Sequence, residues 1–140
     1  MAATFQFRLV TPTGVVFEGE ALQVSAAGPL GEFGVLADHI NFITSLVPGM
    51  LEARLPDGSA MHWVVSGGLA EVKDGVMTAL ASSAESPESV DRAAATAQVQ
   101  DADAKFSNLS FYDPEYASAQ EALMLARARV VAADLKSTAR

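Results

Sequence analysis

The sequence AGPLGEFGVLADHINFITSLVPGM occupies residues 27–50 and contains the two turn signals from which the fold is worked out. Glycines at positions 28, 31 and 34 surround Pro29 and let the backbone reverse direction. That reversal is expected to present Glu32 and Phe33 at a tip. Pro48-Gly49 then forms a second turn, after which an extended pattern resumes. The stretch is too irregular for a helix and is interpreted as a docking loop.

Residues 1–85 show the alternation of apolar and polar residues that is typical of half-buried strands. Phe5, Phe7 and Leu9 alternate with the polar residues Gln6 and Arg8. Further along, Met61, Trp63 and Val65 form a similar run that includes the polar residue His62. Turn signals recur at short intervals, which predicts many short strands. They are Pro12-Thr13-Gly14, Gly28-Pro29, Pro48-Gly49, Pro56-Asp57-Gly58, Gly67-Gly68 and Lys73-Asp74-Gly75. The predicted N-terminal part is a flattened β-sandwich or barrel of about ten short strands.

The remainder of the chain is rich in alanine and predicts helices. Ser86 is a candidate N-cap, and Pro87 follows in the first helical position of a helix that should run to about Lys105. A second cap and proline at Asp113-Pro114 predict a helix that continues to Asp134 or beyond. The fold class is therefore α+β. A β-sandwich domain over residues 1–85 is followed by an antiparallel two-helix hairpin domain over residues 86–140.

Small residues are expected to form the seam between the two helices. Alanine buries little surface, whereas full burial of a leucine stabilises by about 1.5 to 3 kcal/mol. Such a hairpin could detach from its neighbours, and a permanently docked hairpin that completes the core is an equally open alternative. The predicted seam consists of Val90, Ala94, Ala97 and Val99, with Ala119, Leu123, Ala126, Val130 and Ala133 on the second helix.

The net charge of −8 argues against two classes of partner. Residues 1–85 carry nine acidic and three basic residues, whereas nucleic acids and anionic lipids bind basic surfaces. The acidity invites basic partners, although simple solubility is the stronger explanation. No apolar run reaches the roughly 20 residues of a membrane span, so no direct membrane insertion is expected. No signal or transit peptide is recognised at the N-terminus.

An enzyme is not indicated by the residues present. The sequence has no cysteine, which excludes disulfides, zinc–thiolate sites and cysteine nucleophiles. It has no phosphate-binding loop, nucleophile elbow or histidine pair at metal spacing. Ser66 precedes two glycines and is interpreted as part of a turn. The carboxylates of Glu18, Glu20, Glu52 and Glu71 are scattered, so no catalytic residue, metal ligand or cofactor is predicted.

Two ordered motifs resemble the epsilon subunit of the F-type ATP synthase, which is called delta in mitochondria. The first is Gly31-Glu32-Phe33-Gly34, followed by His39 and an apolar run that ends in Pro48-Gly49-Met50. The second is the Ser66-Gly67-Gly68 turn with its flanking strands. The resemblance covers essentially the whole chain and implies a β-sandwich followed by a helical hairpin.

The resemblance implies a non-catalytic central-stalk subunit that links gamma to the ring of c subunits and so couples proton flow to ATP synthesis. By the same resemblance, Gly31, Glu32 and Phe33 face basic polar loops of the c ring. A rim ion pair contributes about 0 to 1 kcal/mol, so Glu32 would orient this contact. His39 is expected near gamma, although an ordinary hydrogen-bonded role is the stronger alternative. Such a subunit is peripheral on the cytoplasmic face of the bacterial inner membrane.

Two further properties of the family are expected to be weak. Some members bind ATP through an Ile/Leu-Asp-x-x-Arg-Ala motif, to which Glu88–Ala93 is an incomplete match in which Arg92 and Ala93 fit. Some members also inhibit ATP hydrolysis when basic residues of the second helix meet the beta subunit of the alpha/beta head. The candidates for that contact are Arg127, Arg129 and Lys136. Their small number predicts weak or absent inhibition.

Two other classes of protein remain open at this point. A β-sandwich module that binds a small molecule or peptide would share the acidic surface, but it has no reason to carry both motifs. An enzyme that works with the scattered carboxylates would need a deep pocket with perturbed acids.

Overall fold

The computed structural model describes the backbone of residues 3–138 and the side chains of residues 3–135. Within these residues, strands come first and helices follow, as the sequence predicted. The strands are β1 (Phe5–Thr11), β2 (Gly14–Ala21), β3 (Gln23–Gly28), β4 (Gly31–Leu36), β5 (Phe42–Leu46), β6 (Gly49–Arg54), β7 (Ala60–Val65), β8 (Gly68–Lys73), β9 (Val76–Ala81) and β10 (Ala84–Glu85). A short 3-10 helix (Pro87–Ser89) precedes α1 (Arg92–Ser107) and α2 (Tyr116–Thr138).

The strands form two five-stranded sheets, which confirms the predicted β-sandwich. The first sheet has the order β2-β1-β9-β8-β5, and the second has the order β10-β7-β6-β3-β4. Strand β1 runs parallel to β9, whereas the other neighbouring pairs are antiparallel. Each predicted turn signal lies at a junction between consecutive strands.

The main core lies between the sheets and follows the predicted alternation. Phe5, Phe7 and Leu9 of β1 are buried there. Phe17 packs against Phe7 with ring centroids 5.8 Å apart and against Trp63 at 5.6 Å. Burying one such large side chain stabilises the fold by about 1.5 to 3 kcal/mol, so this aromatic row joins the two sheets firmly.

The outer face of the second sheet is covered by α2. Val64 of β7 points away from the main core, yet it is buried together with Ala128 and Ala132 of α2. Met50 packs against the same cluster. Three consecutive residues of β7 are therefore buried, because the two faces of the strand contact different layers. The hairpin is docked on the sandwich in this structure.

The start of the first helix differs from the prediction. Ser86 precedes only the 3-10 helix, and its side chain makes no capping hydrogen bond. The N-cap of α1 is Asp91, whose Oδ1 accepts hydrogen bonds from the backbone N–H groups of Ala93 at 2.9 Å and Ala94 at 3.2 Å. The chain stays extended at Val90, whose side chain is buried in the cluster under α2. Burial of Val90 thus delays the helix by five residues.

The residues predicted for the seam on α2 are buried or half-buried, whereas the buried stripe on α1 is shifted. Leu123, Ala126 and Ala133 are buried, but Ala94 and Ala97 are exposed and Ala95 is buried instead. One face of α1 carries the contact, and its buried or half-buried apolar residues are Ala95, Val99, Ala102 and Phe106. Their spacing of four, three and four residues is that of one helical stripe.

Candidate functional site

The β3–β4 hairpin forms an exposed tip, and Pro29 and Leu30 occupy its apex. Gly28 and Gly31 are the last paired residues of the ladder, so the loop has two residues. Gly31 has a φ of +117°, a conformation that residues with a Cβ atom disfavour. The side chain of Leu30 is fully exposed. Leu30 is a candidate contact residue that the sequence reasoning missed, although an apolar residue between turn residues was its signal.

Glu32 and Phe33 lie in β4 instead of at the apex, which corrects the predicted position. Strand pairing resumes at Gly31 because the loop is so short, and the next two side chains point to opposite faces. Glu32 is exposed, whereas Phe33 is half-buried with its ring edge-on to Phe42 at 5.8 Å. Gly31, Glu32 and Phe33 were predicted to face the c ring, and of these three residues Glu32 carries the exposed charge.

His39 lies beside the same aromatic pair. Its ring centroid is 4.8 Å from that of Phe42, and its Nδ1 donates a hydrogen bond of 2.8 Å to the carbonyl oxygen of Ile40. The backbone N–H of His39 donates to the Leu36 carbonyl at 3.0 Å. The row His39, Phe42 and Phe33 connects the loop after β4 to the middle of the β3–β4 hairpin. These contacts fix the position of the His39 ring, and Ile40 next to it is largely exposed.

An apolar row crosses the outer face of the first sheet. Leu69 of β8 pairs with Leu80 of β9, which pairs with Val10 of β1, which in turn pairs with Val15 of β2. Leu69, Leu80 and Val15 are exposed. Contiguous apolar surface of this kind marks sites of protein contact. The sequence reasoning missed the apolar row because it used the alternation to find the core face alone.

Arg129 is held inside the molecule, although the sequence placed it among the candidate contacts to a beta subunit. Its Nε and Nη2 donate to the two carboxylate oxygens of Glu85, at 2.9 and 3.1 Å. Its Nη1 donates to Oε1 of Gln98. The Arg129 side chain is 20% exposed and that of Glu85 is 31% exposed. The resulting Arg129 clamp joins α2 to α1 and to the last strand of the sandwich.

The other basic candidates of the hairpin are more exposed. Arg127 is 62% exposed, and its Nη2 lies 3.9 Å from Oδ1 of Asp103. Nε of Arg92 donates to Oδ1 of Asp134 at 2.7 Å. The side chain of Lys136 lies outside the described residues. A carboxylate thus partly neutralises each of the two described arginines.

A second register for the nucleotide motif begins at Val90. Val90 is aliphatic and Asp91 is acidic, so these two residues stand at the first two positions of Ile/Leu-Asp-x-x-Arg-Ala, with valine in place of isoleucine or leucine. In that register Ala94 stands at the arginine position and Ala95 at the final alanine. Arg92 then falls at a variable position, and the motif lacks its cation.

The scattered carboxylates do not converge among the described residues. Glu18 pairs with Arg8 at 2.9 Å, Glu20 accepts from the Thr4 hydroxyl at 2.7 Å, and Glu52 lies 2.8 Å from Nε2 of His62. The pKa of Asp57 is lowered by hydrogen bonds from the hydroxyl and the backbone N–H of Ser59, which belong to the β6–β7 turn. Within residues 3–135 no three His, Asp or Glu side chains are placed to hold a metal ion.

Comparison with known proteins gives one family. The model of the ATP synthase delta/epsilon chain, beta-sandwich domain, matches residues 4–87. An ATP synthase epsilon chain from Afipia carboxidovorans is 41% identical over 106 residues, which are 76% of this chain and 77% of that protein. An ATP synthase epsilon chain from Exiguobacterium is 34% identical and covers 95% of this chain and 98% of its own length.

Solved structures show the same similarity. A chain in the Euglena gracilis mitochondrial ATP synthase, resolved as OSCP, F1 and c-ring, has a TM-score of 0.79 at 26% identity. The match covers 95% of this chain and 82% of that one. A chain in the central stalk and c-ring of the Tetrahymena thermophila mitochondrial enzyme has a TM-score of 0.62 at 15% identity, which shows a shared fold. The coverage of 91% and 94% includes the helices as well as the sandwich.

Proposed function

The chain belongs to the delta/epsilon family of ATP synthase subunits, and we propose that it acts as a non-catalytic central-stalk subunit linking gamma to the c ring. The observation that carries this proposal is the exposed tip of the β3–β4 hairpin, with Leu30 at its apex and Glu32 beside it. The separate pairing of Glu18, Glu20 and Glu52 supports a role without intrinsic chemistry. Coupling would come from contacts that transmit rotation.

The two proposed docking surfaces, the β3–β4 tip and the apolar row, suit different partners. The β3–β4 tip combines one exposed leucine with one acidic side chain, which suits the basic polar loops of a c ring. The apolar row on the first sheet, together with His39, is the surface we assign to gamma. An uncovered apolar sheet face is suited to a lasting contact, because its burial stabilises by about 25 cal/mol per Å².

We propose separate roles for the N-terminal and C-terminal parts of the chain. Residues 1–85 would dock on the rotor, and residues 86–140 would form the hairpin domain. No helix within residues 3–138 has the length and apolar character to cross a membrane. We assign the chain to the cytoplasmic face of a bacterial inner membrane, where gamma and the c ring would hold it, because its relatives include ATP synthase epsilon chains from bacteria.

Charge reversal at Glu32 tests the ring contact. We expect Glu32→Lys to lower the affinity of the tagged chain for c subunits about tenfold in solubilised membranes, which corresponds to about 1.4 kcal/mol, while gamma is still recovered. Leu30→Ser should have a similar effect. Glu88→Lys, an exposed charge reversal beside the hairpin, is the matched control. Equal recovery of c subunits by all variants would reject the assigned tip.

The hairpin is proposed to restrain ATP hydrolysis weakly or not at all. Of the basic residues predicted to contact a beta subunit, Arg129 is already paired with Glu85, and Arg127 lies near Asp103. We expect a chain that lacks residues 113–140 to leave the ATPase rate of the assembled complex within about twofold of the full-length chain. Co-purification with gamma must first show that the shortened chain assembles. A larger rise in rate would show that the hairpin inhibits.

ATP binding to the hairpin is also not expected. A phosphate group needs unpaired cations or free backbone N–H groups, whereas Arg92 donates to Asp134 and Asp91 caps α1. Calorimetric titration of the isolated chain with ATP should show no saturable heat at millimolar ATP. Saturable binding that is lost in Arg92→Ala would contradict this prediction.

A further inference from the structure

Four aromatic side chains cluster where α1 and α2 meet. Phe106 at the end of α1 lies 4.9 Å from Tyr116 at the start of α2, measured between ring centroids. Phe111 of the connecting loop lies edge-on to Tyr116 at 5.4 Å and to Tyr112 at 5.7 Å. Phe111 is 74% exposed and Tyr112 is 91% exposed. We call these four residues the aromatic tip.

The sandwich does not explain this cluster. The part of α2 that packs on the second sheet is centred on Ala128 and Ala132. Tyr116 precedes Ala128 by twelve residues, which places it about 18 Å away along the helix. The two exposed aromatic rings contribute little to the stability of the fold. Exposed aromatic side chains of this kind commonly anchor contacts with other proteins.

The charges around the aromatic tip are acidic. Residues 101–121 contain five acidic residues and one lysine, a net charge of −4. Lys105 is paired with Asp101 at 3.2 Å. Asp113 accepts a hydrogen bond from the backbone N–H of Ser110 at 2.7 Å, and no Lys, Arg or His side chain of residues 3–135 lies within ion-pair distance of Glu115 or Glu121. The rim therefore has uncompensated negative charge.

We propose that the aromatic tip binds an arginine-bearing segment of another protein in the assembly. A guanidinium group stacks on aromatic faces and also pairs with carboxylates, so it matches both halves of this surface. A second copy of this chain is disfavoured, because each copy carries a net charge of −8. An anionic membrane is disfavoured for the same reason. This inference rests on the proposed function, because the assembly is the ATP synthase complex.

Peptide binding to the isolated full-length chain tests the surface itself. The probe is acetyl-Leu-Arg-Ala-Leu-Arg-amide, with analogues in which lysine or glutamate replaces arginine, observed by NMR of the tip residues. We expect saturable shifts at Phe111 and Tyr112 and affinity at least tenfold higher for the arginine peptide than for the glutamate peptide. Equal binding of both peptides, shifts outside the tip, or preferential binding to vesicles of phosphatidylglycerol would overturn the proposal.

Variants separate the aromatic contribution from the acidic one. Phe111→Ser with Tyr112→Ser should lower the affinity for the arginine peptide at least fivefold, and Glu115→Lys with Glu121→Lys should do the same. All four side chains are exposed, so the fold should persist. Leu30→Ser and Glu88→Lys are the matched controls and should leave the affinity unchanged. Loss of binding in the controls would also count against the aromatic tip.

A photo-crosslinker at position 112 tests the contact in the assembled complex. We expect a crosslink to a segment of another subunit that contains arginine, identified by mass spectrometry. Recovery of gamma and c subunits reports separately on the proposed function. Recovery without such a crosslink overturns the inference and leaves the function standing. Peptide binding without recovery of gamma and c subunits would overturn the proposed function and leave only an arginine-binding surface.

Discussion

Gly68→Ala is expected to prevent stable folding of the sandwich. A Cβ atom at this position would lie 2.0 Å from the carbonyl oxygen of Leu80 and 3.0 Å from Cα of Ala81. Both contacts are to the backbone of β9, which pairs directly with β8, so no side-chain rotation can relieve them. The φ of Gly68 is +144°, which adds strain for any residue with a Cβ atom. We expect a loss of at least about 4 kcal/mol, measured by urea denaturation.

Gly14→Ala is the matched control for this prediction. Gly14 has a nearly equal φ of +137°, but a Cβ atom there would meet nothing within 4 Å. Gly14→Ala should therefore lower the free energy of unfolding only by the backbone strain, about 1 to 3 kcal/mol. Similar losses in both variants would mean that strain, and not the close approach of β8 to β9, makes Gly68 necessary.

Arg129→Ala should release the hairpin from the sandwich while the main core stays folded. The substitution removes a bidentate ion pair and leaves Glu85 partly buried without its cation. Charged hydrogen bonds of this kind contribute about 1.5 to 3 kcal/mol. We expect amide hydrogen exchange in α1 and α2 to accelerate ten- to a hundredfold, whereas amides of β1 and β9 keep their protection.

Arg127→Ala provides the comparison for the Arg129 clamp. Arg127 lies two residues away on the same helix, but it is exposed and its contact with Asp103 is long. Its removal should change stability by less than about 0.5 kcal/mol. If Arg127→Ala accelerates exchange as much as Arg129→Ala does, the hairpin is held by general charge and not by the clamp.

The β-sandwich could be predicted because its signals are local. Phe5, Phe7 and Leu9 alternate with polar residues, and alternation alone decides which side of a strand is apolar. Turn residues such as Pro12-Thr13-Gly14 separate the strands wherever they occur. The motif around Gly31 and the Ser66-Gly67-Gly68 turn carried the family resemblance for the same reason, because positive φ angles, and at Gly68 a close backbone approach, need glycine at defined places.

The candidate contacts were harder to predict. The residues at the hairpin apex depend on where strand pairing stops, and pairing of Gly28 with Gly31 moved the apex from Glu32 to Leu30. The apolar row appears only when Val10 of β1 comes into register with Leu80 of β9, because these two paired strands lie at opposite ends of the sandwich sequence. Sequence spacing contains no information on that register.

The α+β order, the sandwich or barrel, the helical hairpin and the family were all predictable from the sequence, because turn residues and alternation act within a few residues. Tertiary structure decided which face of each helix is buried. Alanine occurs on every side of α1, so no contrast along the chain distinguished Ala94 from Ala95. Burial of Val90 and Val64 against α2 set that rotation and turned Arg129 toward Glu85. Packing between layers made these choices, because the free energy of burial depends on what lies opposite each residue.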